Sequence, residues 1–211
     1  MVRKKNNTEQ RLIYLIRHGD IETTPGKRFV GQIDFPLSIK GSEQAQHLQQ
    51  HLSYCSLNNI FCSDLQRSLH TAQLIATKHR ADISMIKELR EIKLGEWEGK
   101  LFKEIHRTYP QEFKKRGEDI VHYRPPGGES FYDLHQRVIT AFHQIVTNTT
   151  GNILIVGHAG VNRMILCHIM GIPIQNLFII SQDYGCLNII LQGNFGFRIR
   201  LLNRTFTMMA R

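Results

Sequence analysis

The chain has 211 residues, 41% of them apolar and 21% charged, a balance that is ordinary for a globular domain and excludes disorder, collagen or coiled coil for the whole chain. Its longest apolar runs, such as residues 153–156, fall far short of the ~20 residues that a membrane-spanning helix needs. The net charge of +9 divides into +2 at residues 1–10, +4 at residues 198–211 and +3 over the body. Two basic ends on a nearly balanced body are more typical of solubility features than of a nucleic-acid groove.

The first half of the chain predicts strands that alternate with helices. Continuous apolar runs are typical of strands buried on both faces, and apolar residues three or four positions apart predict amphipathic helices. In chain order the elements are a strand at 12–16, a polar loop from Gly19 to about Lys40, a helix opened by Gly41 and Ser42, a strand at 59–62, a helix capped by Asp64 and a weak strand at 83–86.

The second half begins with an irregular segment. Residues 88–129 are rich in glycine and proline, with short helices predicted near 101–108 and 110–116, and we interpret them as an insertion over the main sheet. A helix from residue 130 to about 147, a strand at 153–156, a helix from about 160 to 170 and a closing hairpin of strands at 186–192 and 197–202 follow.

This alternation predicts an α/β fold, a three-layer sandwich with a mainly parallel central sheet flanked by helices. We expect one domain over residues 11–203 with the insertion at about 88–129, between a flexible tail at 1–10 and a basic tail at 204–211.

The four cysteines, Cys55, Cys62, Cys167 and Cys186, form no CxxC pair and no zinc-binding spacing. Their apolar surroundings predict reduced, buried thiols, which are typical of a reducing compartment. The apolar run at 12–16 is too short for the core of a signal peptide. We therefore expect a cytoplasmic location.

Charged side chains follow the predicted strands at their carboxyl ends, where ligands bind in parallel sheets. Arg17 and His18 follow the first strand, Arg67 lies one turn into the helix after the second, Glu91 follows the third and His158 the fourth. Taken singly, each is more often a structural histidine, a surface arginine or a solvated glutamate. Their placement along one edge favours a site.

These residue types suit phosphoryl transfer. Two arginines and a protonated second histidine would neutralise a phosphate dianion, while an unprotonated imidazole nitrogen is a competent nucleophile. A carboxyl group beside the leaving oxygen would donate a proton and then take one from water. No HxxxH or paired-carboxylate spacing indicates a metal, so we expect neither a metal ion nor another cofactor.

Beyond this chemistry, the chain resembles the histidine phosphatase superfamily, which has the phosphoglycerate mutase-like fold. The resemblance rests on blocks that occur in family order over roughly residues 11–190. The blocks are 15–19 (LIRHG), 31–38 (GQIDFPLS), 40–41 (KG), 62–68 (CSDLQRS), 71–72 (TA), 89–91 (LRE), 94–99 (LGEWEG), 126–130 (PGGES) and 156–160 (VGHAG).

The resemblance implies a role for each candidate residue. His18 would become phosphorylated, and Arg17, Arg67 and His158 would bind the transferring phosphoryl group. Glu91 would act first as the acid and then as the base. Gly31 and Gln32 would contact the substrate, and Glu129 would hydrogen-bond the leaving group. The substrate is then a small phosphate ester, with no nucleic-acid or membrane partner, and the enzyme a monomer or homodimer.

Within the superfamily, residues 28–37 (RFVGQIDFPL) are similar to the α-ribazole phosphatase branch of cobalamin assembly. Asp20 departs from the longer side chain usual after Arg-His-Gly, and the Ser-x-Trp-Asn run typical of mutases is missing. A broad-specificity phosphatase remains the main alternative, ahead of a phosphoglycerate mutase or a non-catalytic binder of phosphorylated ligands. Trp97 is expected to pack at the pocket rim, and His168 to be a buried helical histidine.

Overall fold

A central sheet of six strands organises the computed structural model, which describes residues 10–206. The strands are β1 (Arg11–Arg17), β2 (Asn59–Cys62), β3 (Ile83–Met85), β4 (Ile153–Gly157), β5 (Leu187–Gly193) and β6 (Gly196–Arg204), in the order β3-β2-β4-β1-β5-β6. The first four are parallel, while β5 and β6 are antiparallel additions at one side. The predicted α/β fold and the closing hairpin are confirmed.

Within residues 10–206, six α-helices cover the sheet and extend beyond it. They are α1 (Ile39–Leu52), α2 (Gln66–Ala76), α3 (Phe102–Thr108), α4 (Pro110–Glu118), α5 (Phe131–Thr147) and α6 (Ala159–Met170). Short 3₁₀ turns occupy Lys87–Leu89, Gly95–Trp97 and Ile174–Ile179. The two short helices predicted in the irregular segment therefore correspond to α3 and α4.

The sheet is buried on both faces because successive residues of a strand point to opposite sides. In β1, Ile13 and Leu15 join the core beneath α5 and α6, whereas Tyr14 and Ile16 join the core beneath α1 and α2. Residues of β4 divide between the two cores in the same way. This arrangement is the expected three-layer sandwich.

Two helix starts differ from the sequence prediction. Helix α1 begins at Ile39, where the Ser38 hydroxyl accepts a hydrogen bond from the backbone of Gly41 at 3.0 Å. The predicted cap of α2 by Asp64 is wrong, because both Asp64 oxygens bind Arg90 at 2.5 Å. The carboxylate of Asp34, which lies in the loop between β1 and α1, instead accepts the backbone N–H of Gln66 at 2.7 Å.

The structure also differs from the sequence prediction at Arg204 and at His168. Arg204 is the last residue of β6, paired with Leu187, rather than the first of a basic tail. His168 is exposed rather than buried, and its Nε2 lies 3.0 Å from Nε2 of His143. The tails expected at 1–10 and 204–211 otherwise lie almost wholly outside the described residues.

All four cysteines are free thiols; Cys62, Cys167 and Cys186 are buried and Cys55 is partly buried. Across residues 10–206, no group of three or more His, Cys, Asp or Glu side chains is arranged to hold a metal ion. Over the same range, no helix combines the length and the apolar character that crossing a bilayer requires.

The loop after β1 meets the start of α1 backbone to backbone. A Cβ added at Gly41 would overlap the carbonyl oxygen of Asp20, and one at Gly19 would overlap the carbonyl of Gly41. The backbone N–H of Ser38 also donates to Asp20 at 3.0 Å. This close approach fixes the chain immediately after His18.

We expect Gly41→Ala to lower the free energy of unfolding by about 1–3 kcal/mol, since the methyl group forces two backbones apart. Gly117→Ala is the matched control. Gly117 lies in α4, and a methyl group at this position would meet no other atom within 4 Å, so alanine there should leave stability unchanged or raise it. Urea titration followed by fluorescence of buried Trp97 measures both. Equal effects of the two substitutions would contradict the packing constraint.

Candidate active site

Four of the five residues predicted from the strand ends line one cavity of about 380 Å³ at the carboxyl edge of the parallel strands. The fifth, His158, lies beside it, with its ring centroid 5.0 Å from that of His18. Arg17 ends β1 and His18 follows it, while Arg67 lies in the first turn of α2. Glu91 follows the 3₁₀ turn after β3, and His158 is the N-cap of α6 directly after β4. The sheet therefore brings together all five residues, as predicted.

The hydrogen bonding of His18 sets its tautomer. Its Nδ1 lies 2.7 Å from the carbonyl oxygen of Gly19, which can only accept a hydrogen bond. The proton of the neutral ring is therefore on Nδ1, and the lone pair is on Nε2. The side chain is 3% exposed, and its ring centroid lies 5.0 Å from that of His158.

His158 has the complementary arrangement. Its Nε2 lies 2.7 Å from Oγ of Ser63, a hydroxyl that also accepts the backbone N–H of Leu65 at 3.4 Å. When the Ser63 hydroxyl donates to Nε2, the proton of the neutral imidazole is on Nδ1. That Nδ1 is buried and has no hydrogen-bond partner among the described residues.

Backbone carbonyls hold both arginines at fixed positions. Arg67 donates to the carbonyl oxygens of Ile33 at 2.6 Å and Gly31 at 2.7 Å, and it is only 1% exposed. Arg17 donates to the carbonyl of Gln182 at 2.6 Å. Within residues 10–206, the Nε atoms of both arginines are buried without a partner.

Three buried nitrogen atoms of residues around His18 therefore have no hydrogen-bond partner among residues 10–206, namely Nε of Arg17, Nε of Arg67 and Nδ1 of His158. Each unsatisfied buried group costs roughly 1–3 kcal/mol. An anion with several acceptor oxygens would satisfy all three at once. The arrangement is that of a phosphate-sized anion site beside a free imidazole lone pair.

Burial and neighbouring charges determine the protonation of the two histidines. Burial lowers the pKa of His18 well below its usual value of 6.5, and the guanidinium groups of Arg67 and Arg17 lower it further. Burial followed by Arg67, His18 and Arg17 does the same for the pKa of His158. Both shifts favour neutral imidazoles in the protein by itself. The expected protonation of His158 concerns the complex with a phosphate dianion, so it stays a prediction.

Glu91 lines the cavity with its carboxylate held by two backbone donors. One oxygen accepts the N–H of Ile92 at 2.9 Å, and the other accepts the N–H of Gly160 at 3.0 Å, in the first turn of α6. A Cβ at Gly160 would collide with this carboxylate, so the glycine makes room for it. Glu91 is the only acidic residue among those that line the cavity.

Much of the cavity lining is apolar and aromatic. Phe29 and Phe102 stack with centroids 3.8 Å apart, and both line the wall. Other apolar lining residues are Ile21, Val30, Ile92, Leu94, Phe131 and Phe178. Trp97 packs behind Phe29 at 5.1 Å and is 2% exposed, which confirms its packing role.

Further cations line the cavity as well: Lys27, Arg28, Arg116 and Arg163. Arg116, from α4, lies with its guanidinium 5.4 Å from the Phe29 ring centroid. Burial lowers the pKa of Arg116, opposed by Tyr123. Among the described residues no carboxylate forms an ion pair with Arg116.

Besides His158, three residues singled out in the sequence do not line the cavity. The side chain of Gln32 donates to the carbonyl of Glu91 at 3.0 Å, and Asp20 accepts the hydroxyl of Ser38 at 2.9 Å. Glu129, expected at the leaving group, instead binds Arg137 through both oxygens at 2.8 Å. Gly31 does line the wall, as expected.

Three more residues contact the site. Ser63, which directly follows β2, orients His158, and the Tyr184 ring lies 3.6 Å from the Arg17 guanidinium. The position of Ser63 at a strand end and a candidate substrate contact of Tyr184 are both visible in the sequence. Gln182, which accepts a hydrogen bond from Arg17 through its carbonyl, lies in a loop without such a pattern, and the sequence did not identify it.

Comparison with known proteins places these features in a family context. A family model described as histidine phosphatase superfamily (branch 1) matches residues 13–205. That range contains every motif block quoted above and all five residues predicted from the strand ends.

Individual relatives agree over most of the chain. The chain is 29% identical over 192 residues to the adenosylcobalamin/alpha-ribazole phosphatase of Escherichia coli. This match covers 90% of this chain and 95% of that protein. It is 30% identical to the glucosyl-3-phosphoglycerate phosphatase of Mycolicibacterium vanbaalenii, over 79% of this chain and 77% of that protein. The crystal structure of the alpha-ribazole phosphatase from Shigella flexneri matches with a TM-score of 0.85 at 29% identity, over 92% of this chain and 96% of that one.

The buried neutral histidines predict a dependence of stability on pH. Below about pH 6.5 the unfolded chain binds protons at these histidines, whereas the folded chain does not until its lower pKa values are reached. Stability is then complete above this pH and is lost as the pH falls, by up to about 1.4 kcal/mol per pH unit for each histidine.

Urea titrations at pH 7 and about pH 5.5 measure this loss. We expect the loss to be smaller in His18→Asn and in His158→Asn than in the wild type. His106→Asn, at an exposed helical position, is the control and should not change it. An undiminished loss in both buried variants would show that these imidazoles are not the groups responsible.

Proposed function

The chain belongs to branch 1 of the histidine phosphatase superfamily and is a phosphatase; from this premise we propose that it hydrolyses phosphate monoesters through a phosphohistidine at His18. The observation that carries the proposal is the free Nε2 lone pair of His18 beside three unsatisfied buried donors. The preferred substrate is proposed to be α-ribazole 5′-phosphate.

In the first proposed step, Nε2 of His18 attacks phosphorus, and the bond from phosphorus to the ester oxygen breaks. The alcohol oxygen leaves with the electron pair and takes a proton from Glu91. In the second step, Glu91 removes a proton from water, whose oxygen attacks the phosphorus. The bond to Nε2 then breaks, so that inorganic phosphate leaves and His18 regains its neutral form.

The donors around His18 support the first step electrostatically. Charge spreads over the equatorial oxygens of a phosphoryl group in transfer, and fixed donors stabilise it without reorganising. Arg17, Arg67 and the Nδ1–H of His158 are the proposed donors. Both arginines are already held by backbone carbonyls, so little side-chain entropy is lost on binding.

The aromatic lining of the cavity supports the proposed substrate class. A ribose 5′-phosphate would place its phosphoryl group at His18. Phe102, which stacks on the buried Phe29, and the exposed Phe178 offer an apolar surface for a flat aromatic base. The named alpha-ribazole phosphatases among the relatives agree with this choice.

A second candidate substrate class follows from Arg116. This partly buried guanidinium lines the cavity and has no carboxylate partner among residues 10–206. A phosphate ester with a second anionic group, such as a phosphoglycerate derivative, would supply one. A relative named for glucosyl-3-phosphoglycerate agrees with this alternative.

The cellular setting is a separate proposal. We propose a cytoplasmic enzyme that is monomeric or homodimeric. The four free thiols support a reducing compartment.

The proposed mechanism predicts which substitutions lower kcat/KM by different factors on esters with different leaving groups. His18→Ala should abolish turnover of every ester, and EDTA should not affect the wild type. Glu91→Gln should lower kcat/KM by roughly 100-fold or more for ribose 5-phosphate but much less for p-nitrophenyl phosphate, whose leaving group needs little protonation. Steady-state assays and trapping of acid-labile phosphohistidine test this. Equal losses on both esters would remove Glu91 as the proton donor, and full turnover by His18→Ala would overturn the nucleophile.

A substrate panel tests the proposed specificity. We compare kcat/KM for α-ribazole 5′-phosphate, 3-phosphoglycerate, a sugar phosphate and p-nitrophenyl phosphate in the wild type and in Arg116→Gln. A preference of at least ~100-fold for the ribazole ester, about 2.7 kcal/mol, supports the first choice. A preference for 3-phosphoglycerate that Arg116→Gln removes would support the second. Similar rates on all esters would indicate a broad-specificity phosphatase.

A further inference from the structure

The loop that carries Glu91 is held from outside the cavity by Arg137. This residue lies on α5, and its side chain is 20% exposed. One terminal nitrogen donates to the carbonyl oxygens of Glu88 at 2.7 Å and Arg90 at 2.8 Å. The other donates to the carbonyl of Glu91 itself at 3.0 Å. One guanidinium therefore binds three carbonyls within four consecutive residues.

Glu129 fixes that guanidinium in turn. Its two oxygens accept Nε and the second terminal nitrogen of Arg137, each at 2.8 Å. Glu129 also accepts the backbone N–H of Lys93 at 2.9 Å and donates its own N–H to the Lys93 carbonyl at 2.7 Å. The pair thus binds the loop on both sides of Glu91.

We propose that Arg137, held by Glu129, is a positioning residue that places the Glu91 carboxyl group at the leaving oxygen. The inference rests on the proposed role of Glu91 as proton donor and acceptor. In this proposal Glu129 acts from outside the cavity by holding Arg137, whereas the sequence suggested a direct hydrogen bond from Glu129 to the leaving group.

The geometry of the guanidinium matters for this role. Arginine offers five N–H donors in one rigid plane, enough for three carbonyls and a carboxylate at once, whereas a lysine ammonium has three donors around a point. The carboxylate of Glu91 is fixed at its other end by Gly160. Loss of the Arg137 contacts leaves the Glu91 carbonyl with the Gln32 side chain as its remaining hydrogen-bond donor at 3.0 Å. This loosening of the backbone should shift the carboxyl group and leave the residues of the phosphoryl site in place.

Two other roles for Arg137 need to be distinguished from positioning. It contributes to stability through its buried contacts, and its charge reaches the phosphoryl site. Burial is the largest cause of the low pKa of His158, and Arg137 is among the cations that add to it. Arg137→Lys keeps the charge but loses the planar fork, and Arg137→Gln keeps two N–H donors but loses the charge.

The experiment measures kcat/KM for ribose 5-phosphate and for p-nitrophenyl phosphate in the wild type, Arg137→Lys, Arg137→Gln, Glu91→Gln and Glu91→Gln/Arg137→Lys. We expect Arg137→Lys to lower the rate on ribose 5-phosphate by on the order of 100-fold, as a displaced catalytic group does. The rate on p-nitrophenyl phosphate should fall less than about threefold. In the Glu91→Gln background, Arg137→Lys should lower kcat/KM for ribose 5-phosphate no more than it lowers kcat/KM for p-nitrophenyl phosphate.

Arg124→Gln is the matched control. Arg124 also forms a bidentate pair with a carboxylate on α5, binding Asp133 at 2.6 and 2.7 Å, but makes no contact with the Glu91 loop. This substitution should leave both rates unchanged. Competitive inhibition by inorganic phosphate, measured in every variant, confirms that the fold and the phosphoryl site persist.

The outcomes separate the two proposals. Equal losses on both esters in Arg137→Lys, or no loss on either, would overturn the positioning role. The same follows if Arg137→Lys retains wild-type rates while Arg137→Gln loses them, since charge alone would then be responsible. If Glu91→Gln itself shows equal losses on both esters, the proposed role of Glu91 fails first, and the role of Arg137 fails with it.

Discussion

Two arginines and two histidines lie together at the edge of the sheet, and their unsatisfied donors dominate the chemistry of the cavity. Burial disfavours charge on the imidazoles and leaves three N–H groups without partners among residues 10–206. The site is therefore complementary to a compact anion with several acceptor oxygens. The free lone pair on His18 exists for the same reason, because a buried imidazole between guanidinium groups does not bind a second proton.

The rest of the fold keeps that arrangement in place. Backbone carbonyls hold Arg17 and Arg67, Ser63 orients His158, and the glycine contact between the β1 loop and α1 limits movement after His18. These partners come from elements far apart in the chain. Because these partners already hold the donor side chains in position, the donors can stabilise a phosphoryl group without first losing conformational freedom.

The cavity combines two chemically different kinds of lining. It offers fixed hydrogen-bond donors around His18, and it also offers aromatic rings and basic side chains. The irregular segment between β3 and α5 supplies Glu91 as well as Phe102 and Arg116. One segment therefore contributes both the proposed proton donor and groups that would contact the rest of an ester, so variation in this segment can alter specificity on a common fold.

The amino-acid sequence by itself determined the order of strands and helices and the five charged residues at the strand ends, because periodicity and strand-end position are local properties. It also determined the family, through motif blocks. Only the tertiary structure decided the tautomer of His18, the burial of His158 against Ser63 and the pairing of Glu129 with Arg137. Asp64 likewise met every local criterion for a helix cap, yet a distant arginine took both its oxygens. Hydrogen-bond partners and burial are set by residues distant in the chain, so local pattern does not reveal them.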